Sequence, residues 1–84
     1  MHKVVSVKVL MNYLIDISFS DGFSKIVDLR PFIGEGISKA LKDESFFQKV
    51  QIESGGGIFW PNGYDFCPEF LYDEVPAVSL ESTE

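Results

Sequence analysis

A chain of 84 residues has room for one small domain, and it contains no apolar run near the roughly 20 residues needed for a membrane-spanning helix. Its one cysteine, Cys67, rules out an internal disulfide and a thiolate metal cage, which points to a reducing, cytoplasmic setting. The net charge of −6 is unevenly spread: all seven basic residues lie within the first 50 positions beside six acids, whereas residues 51–84 hold seven acids and no lysine or arginine. That split repels a phosphate backbone and disfavours nucleic acid as a partner.

The elements follow in chain order. From Lys3 to Met11 the residues Val5, Val7 and Val9 alternate with Ser6 and Lys8, the period of a strand with one buried face. After Asn12, the residues Tyr13, Ile15, Ile17 and Phe19 alternate with Leu14, Asp16, Ser18 and Ser20, predicting a second strand. Asp21-Gly22 suits the two positive-φ positions of a type I′ turn, which would return a third strand over Phe23 to Leu29. The alternation falters there, because Lys25 lands on the inner face. Arg30-Pro31 closes this meander, since proline cannot donate to a ladder.

Beyond the loop Gly34-Glu35-Gly36, the spacing of Ile37, Ala40 and Leu41 predicts a helix with Lys39 and Lys42 outward. Asp43 is a candidate cap for a further turn holding Phe46, Phe47 and Val50, giving one kinked helix or two short ones. Short strands are expected at Val50–Glu53 and Ile58–Trp60, joined by a flexible link at Ser54-Gly55-Gly56-Gly57. Pro61-Asn62-Gly63 fits a three-residue hairpin loop, so Trp60, Pro61, Asn62 and Gly63 form a structural turn returning to Tyr64-Asp65-Phe66. Pro68 to Tyr72 reads as one helical turn opened by proline. The fold class is therefore α+β: an antiparallel three-stranded meander, a short C-terminal hairpin, and one or two short helices on one face. One domain is expected over residues 1–75 and a flexible acidic tail over 76–84. Eight Phe, three Tyr and one Trp make the core aromatic.

Residues that could carry chemistry are few. The sole histidine, His2, sits at a terminus expected to be mobile, and no feature places Cys67 beside a base, so Cys67 reads as a small buried or half-buried structural residue. The glycine run leads into a strand rather than Lys-Ser/Thr and a helix, which is wrong for a phosphate loop. Phe59, Trp60, Tyr64 and Phe66 lack the interleaved cations of a base-stacking groove. Asp65, Glu69, Asp73 and Glu74 are either a solvated acidic face or a patch for a basic partner. No catalytic residue, cofactor or metal ligand stands out.

The stretches Tyr13–Gly22, Ile26–Leu29, Ala40–Asp43 with Phe46-Phe47, and Trp60–Phe66 with Pro68 and Leu71-Tyr72 resemble the bacterial domain of unknown function family number 2442. The tryptophan–proline–asparagine–glycine turn followed by Asp65 is its most specific element. The resemblance implies antiparallel strands with a helix packed on one face and no established activity. Some relatives carry an appended helix-turn-helix segment, and others are paired with a second small protein in what look like toxin–antitoxin systems. The expected function is a non-catalytic protein-binding module, the neutralising, antitoxin-like half of such a pair, meeting a basic partner. Its rivals are a regulator contacting DNA and a small-ligand protein or enzyme using the Asp65 region. An exposed strand edge on so small a domain also suggests a symmetric homodimer.

Overall fold

A computed structural model describes residues 2–78, so all but the first three residues of the tail expected over 76–84 lie outside the described residues. Strands β1 (Val4–Val9), β2 (Leu14–Phe19) and β3 (Ser24–Asp28) form an antiparallel meander in the order β1-β2-β3. A 3-10 turn at Arg30–Phe32, a 3-10 helix at Gly36–Lys42 and the short helix α1 (Glu44–Phe47) follow. Strands β4 (Gln51–Ile52), β5 (Ile58–Phe59) and β6 (Asp65–Phe66) build a second antiparallel sheet, and α2 (Pro68–Asp73) ends the regular structure. The α+β architecture expected from the sequence is present, and the short strands expected near Val50–Glu53, Ile58–Trp60 and Tyr64–Phe66 pair into the one small sheet. The Ile37–Val50 region divides at Asp43, whose carboxylate accepts the Ser45 amide at 3.1 Å and caps α1.

One core joins these parts. Ile15, Ile17, Phe19, Val27 and Leu29 from the meander meet Leu41, Phe47, Ile58, Trp60, Phe66, Leu71 and Val75, all buried. On β2 the alternation holds throughout. On β1 it does not: Val4 is 2% exposed and Val5 58%. A bulge between Val4 and Ser6 inserts one extra residue opposite β2, so Val4 turns inward with Val7 and Val9 while Val5 faces solvent. Adjacent valines carry no signal for such a slip.

The turns also differ from the sequence expectation. Consecutive positive φ values, the mark of a type I′ turn, occur at Asn12 (59°) and Tyr13 (64°), not at Asp21-Gly22. At Asp21-Gly22 only the glycine is left-handed, and Gly22 N–H bonds Phe19 O at 3.0 Å while Phe19 N–H bonds Phe23 O at 2.7 Å. That is a three-residue loop, and the chain uses it twice more. Gly56 and Gly63 take the same place in the loops Glu53–Gly57 and Trp60–Tyr64, with φ of 99° and 93°. Trp60-Pro61-Asn62-Gly63 is thus the turn expected. The glycine run is a packed junction rather than a slack link: Val4 N–H donates to Gly56 O at 2.8 Å, and a Cβ on Gly56 would lie 2.9 Å from the Lys3 Cα.

Two outcomes test this register. Ile15 is fully buried between Val9 and Val27, with no cation opposite it in the sheet, whereas Ile17 is in register with Lys25. Ile15→Asp should therefore cost several kcal/mol (about 3 or more), enough to abolish the thermal transition seen by circular dichroism. A Cβ at Gly63 meets only Ile37 Cδ1, at 4.0 Å, so the cost of Gly63→Val is conformational. It should lower stability by about 1 kcal/mol or more in urea titrations, with an unchanged m-value.

Candidate functional site

Helix α2 opens with Pro68, whose fixed φ suits a first helical position, and turns Leu71 into the core. Cys67 precedes it in extended conformation and is exposed, not the buried or half-buried residue expected: as the residue before a proline at a helix start, it projects away from the packed face. At the other end of α2, Lys25 reaches across from β3. Its ammonium donates to the carbonyls of Tyr72, at 3.1 Å, and Val75, groups left unpaired where the helix stops. This is why a lysine sits on the inner face of β3 at 8% exposure. Burial pushes its pKa below the ordinary lysine value, and the charge of Asp73 pulls the other way.

Tyr72 is the centre of the surface beside this junction. Its hydroxyl donates to Asp21 Oδ2 at 2.7 Å, and its ring packs against Phe19 and Phe23 with centroids 4.8 and 5.2 Å apart. The His2 ring stacks on it at 3.5 Å, tilted by 11°. His2 is not loose: its main-chain N–H donates to Glu69 Oε2 at 2.7 Å and its Nδ1 lies 2.8 Å from Oε1. A carboxylate only accepts, so the ring carries a proton on Nδ1.

The electrostatics converge on the same ring. The Phe23 amide, followed by the Tyr72 hydroxyl, holds the Asp21 carboxyl below the usual carboxylate range. The His2 amide, followed by its ring, does the same for Glu69. The bond to Asp21 raises the Tyr72 phenol, and after burial the charges of Asp21, Asp73 and Glu69 push it further. Three acids from two distant segments therefore surround one tyrosine, with Phe23 beside it 44% exposed. An aromatic pair with an acidic rim can bind cationic groups.

Of the acids singled out in the sequence, Glu69 and Asp73 belong to this group, and Glu74 is exposed at the end of α2. Glu69 is partly committed to His2. Asp65 stands elsewhere, exposed on β6 in register with Phe59. Asp21 and Tyr72 are 51 residues apart, and no local pattern links them; Asp21 signalled only a turn. Trp60, Asn62 and Gly63 serve the fold: Trp60 Nε1 donates to Phe47 O at 2.9 Å, and Asn62 Nδ2 to Ile37 O at 2.8 Å.

Of two surface cavities, only the second borders the group, through Phe23. One of about 390 Å³ lies between Asn12-Tyr13 and α1, lined by Tyr13, Glu44, Phe47 and Gln48 among others. The second, about 440 Å³, is bounded by Asp16, Phe23, Ser24, Lys25, Ile26 and the Ala77-Val78 segment. Asp65 lines neither. Among the described residues no three His, Cys, Asp or Glu side chains converge as metal ligands, and no helix is long and apolar enough to cross a membrane.

The family model described as "Protein of unknown function (DUF2442)" matches residues 4–77. The chain belongs to that family. No curated protein and no solved structure matches it. The DUF2442 match spans every strand and helix among the described residues and includes Asp21, Phe23, Lys25, Tyr72 and Asp73, while His2 lies outside it.

The Glu69–His2 clasp has a definite pH dependence. A carboxyl whose pKa is lowered by folding adds stability above its ordinary value and loses it as pH falls through the lowered one. Wild type should melt above Glu69→Gln at neutral pH, and the two melting curves should converge as pH is lowered below roughly 4. A gap that persists unchanged in acid would show that the clasp contributes nothing through its charge.

Proposed function

We propose that this chain is a cytoplasmic, non-catalytic binding module whose acidic, aromatic surface around Tyr72 and Phe23 captures a basic segment of a protein partner. The observation that carries this reading is the convergence of Asp21, Glu69 and Asp73 on one aromatic cluster with an exposed phenylalanine. Interface energy concentrates in aromatic anchors ringed by polar groups, and charge complementarity speeds encounter. The absence of Lys and Arg from residues 51–84 extends the same sign of charge beyond the cluster. A small basic protein, neutralised by this chain as one half of a pair, is the partner class such a surface suits.

The test begins with a partner captured from the native host and identified by mass spectrometry, then measured by stopped-flow and titration. Phe23→Ala should weaken binding by about 2 kcal/mol, roughly 30-fold, mostly through faster dissociation. Asp73→Lys with Glu74→Lys should slow association and flatten its salt dependence, while the distant Asp65→Lys leaves the affinity set at Tyr72 nearly unchanged. Affinity indifferent both to these substitutions and to ionic strength would overturn the proposal.

A further inference from the structure

The main-chain edge of β3 bears on how such a partner would be held. Leu29 N–H bonds Tyr13 O at 3.1 Å and Phe19 N–H bonds Phe23 O, so the odd-numbered residues of this stretch face β2. Alternation turns the N–H and C=O groups of Ser24, Ile26 and Asp28 the other way, to the open side of the sheet. The chain itself shows that this side accepts a main-chain donor: past α2, Val78 N–H donates to Ile26 O at 2.8 Å. It is the single backbone bond made to the Ser24–Asp28 edge by residues outside the sheet, among those described. The cavity of about 440 Å³ bounded by Asp16, Phe23, Ser24, Lys25, Ile26 and Val78 runs beside the same edge.

We infer that the β3 edge is a strand-docking site, at which an extended, lysine- or arginine-bearing segment of a protein partner adds as a fourth strand alongside Ser24 and Ile26, taking the place of Val78 at the Ile26 carbonyl. The inference rests on the acidic, aromatic reading given above and supplies its binding mode. Three features select this occupant. Phe23 both lines the cavity and packs on Tyr72, so the edge and the aromatic cluster form one continuous surface. Asp16 and Lys25 both line the cavity, but the Lys25 ammonium is held by the Tyr72 and Val75 carbonyls and Arg30 is paired with Asp28 at 3.0 Å. Among the described residues the unpaired charges nearby are therefore Asp16 in the wall and Asp21 and Asp73 at the cluster. A second copy of this chain, itself at −6, would bring like charge to the edge. Added strands draw affinity from main-chain hydrogen bonds and specificity from alternate side chains, which here would reach Asp16 on one face of the sheet and Phe23 near the strand's start.

The probe is a synthetic seven-residue peptide alternating Lys with Val, offered to the ¹⁵N-labelled full chain. Its binding should slow hydrogen exchange at the Ser24 and Ile26 amides by about tenfold or more, the effect of a hydrogen bond worth about 1.4 kcal/mol. The same peptide N-methylated on alternate residues keeps its charges but loses one row of donors, and should bind at least about tenfold more weakly. Ile26→Pro removes an outward N–H without touching the β2–β3 ladder and should cause a similar loss. The peptide control stands even if that variant fails to fold. Unchanged exchange at both amides, equal binding by the N-methylated peptide, equal binding by a peptide alternating Glu with Val, or sedimentation showing a dimer paired through β3 would each overturn the inference. The two proposals fail separately. A peptide that perturbs Phe23 and Tyr72 but neither edge amide overturns strand docking alone. One that protects the edge amides yet is indifferent to Phe23→Ala and Asp73→Lys removes the aromatic, acidic reading instead.

Discussion

The fold depends on keeping Trp60 dry. Strands β5 and β6 have two residues each, far too few to persist on ladder bonds alone. Trp60 sits at their turn, fully buried, with its ring 5.7 Å from Phe47 and 5.9 Å from Phe66. Its indole N–H needs a partner in that setting, and the Phe47 carbonyl at the end of α1 supplies one. A single side chain thus ties the small sheet to the helical layer, and both to the meander through the shared core.

That arrangement fixes what the surface can offer. Once the small sheet and α1 occupy part of the meander's inner face, α2 and Val75 pack beside them, and the end of α2 meets the turn between β2 and β3. The meeting brings Tyr72 to Asp21 and Phe23. The acidic, aromatic surface is therefore a by-product of closing the core, assembled from a turn and a helix end that serve the fold in their own right.

Much of this was legible in the residues. The alternation of β2, the glycine after Asn62, the proline opening α2 and the cap at Asp43 are local devices, and each is where the pattern placed it. What stayed hidden depended on contacts across the chain. The bulge at Val5 leaves no trace because Val4 and Val5 are chemically alike. Lys25 looked like an error in a strand until the carbonyls of Tyr72 and Val75 explained it, 47 and 50 residues away. Of the candidate acids, Glu69 and Asp73 were found by composition, whereas Asp21 and Tyr72 acquire a role only when the chain closes.

The buried ammonium of Lys25 has a practical consequence for chemical labelling. Both its carbonyl partners belong to the end of α2 and the residues after it, so an amine-reactive reagent gains full access only when that end lifts away from β3. Each of the other five side-chain amines described is at least partly open to solvent and should react without such a step. The labelling rate at Lys25, set against Lys49 or Lys8 in the same chain, therefore measures how often this corner of the molecule opens, with the protein serving as its own clock.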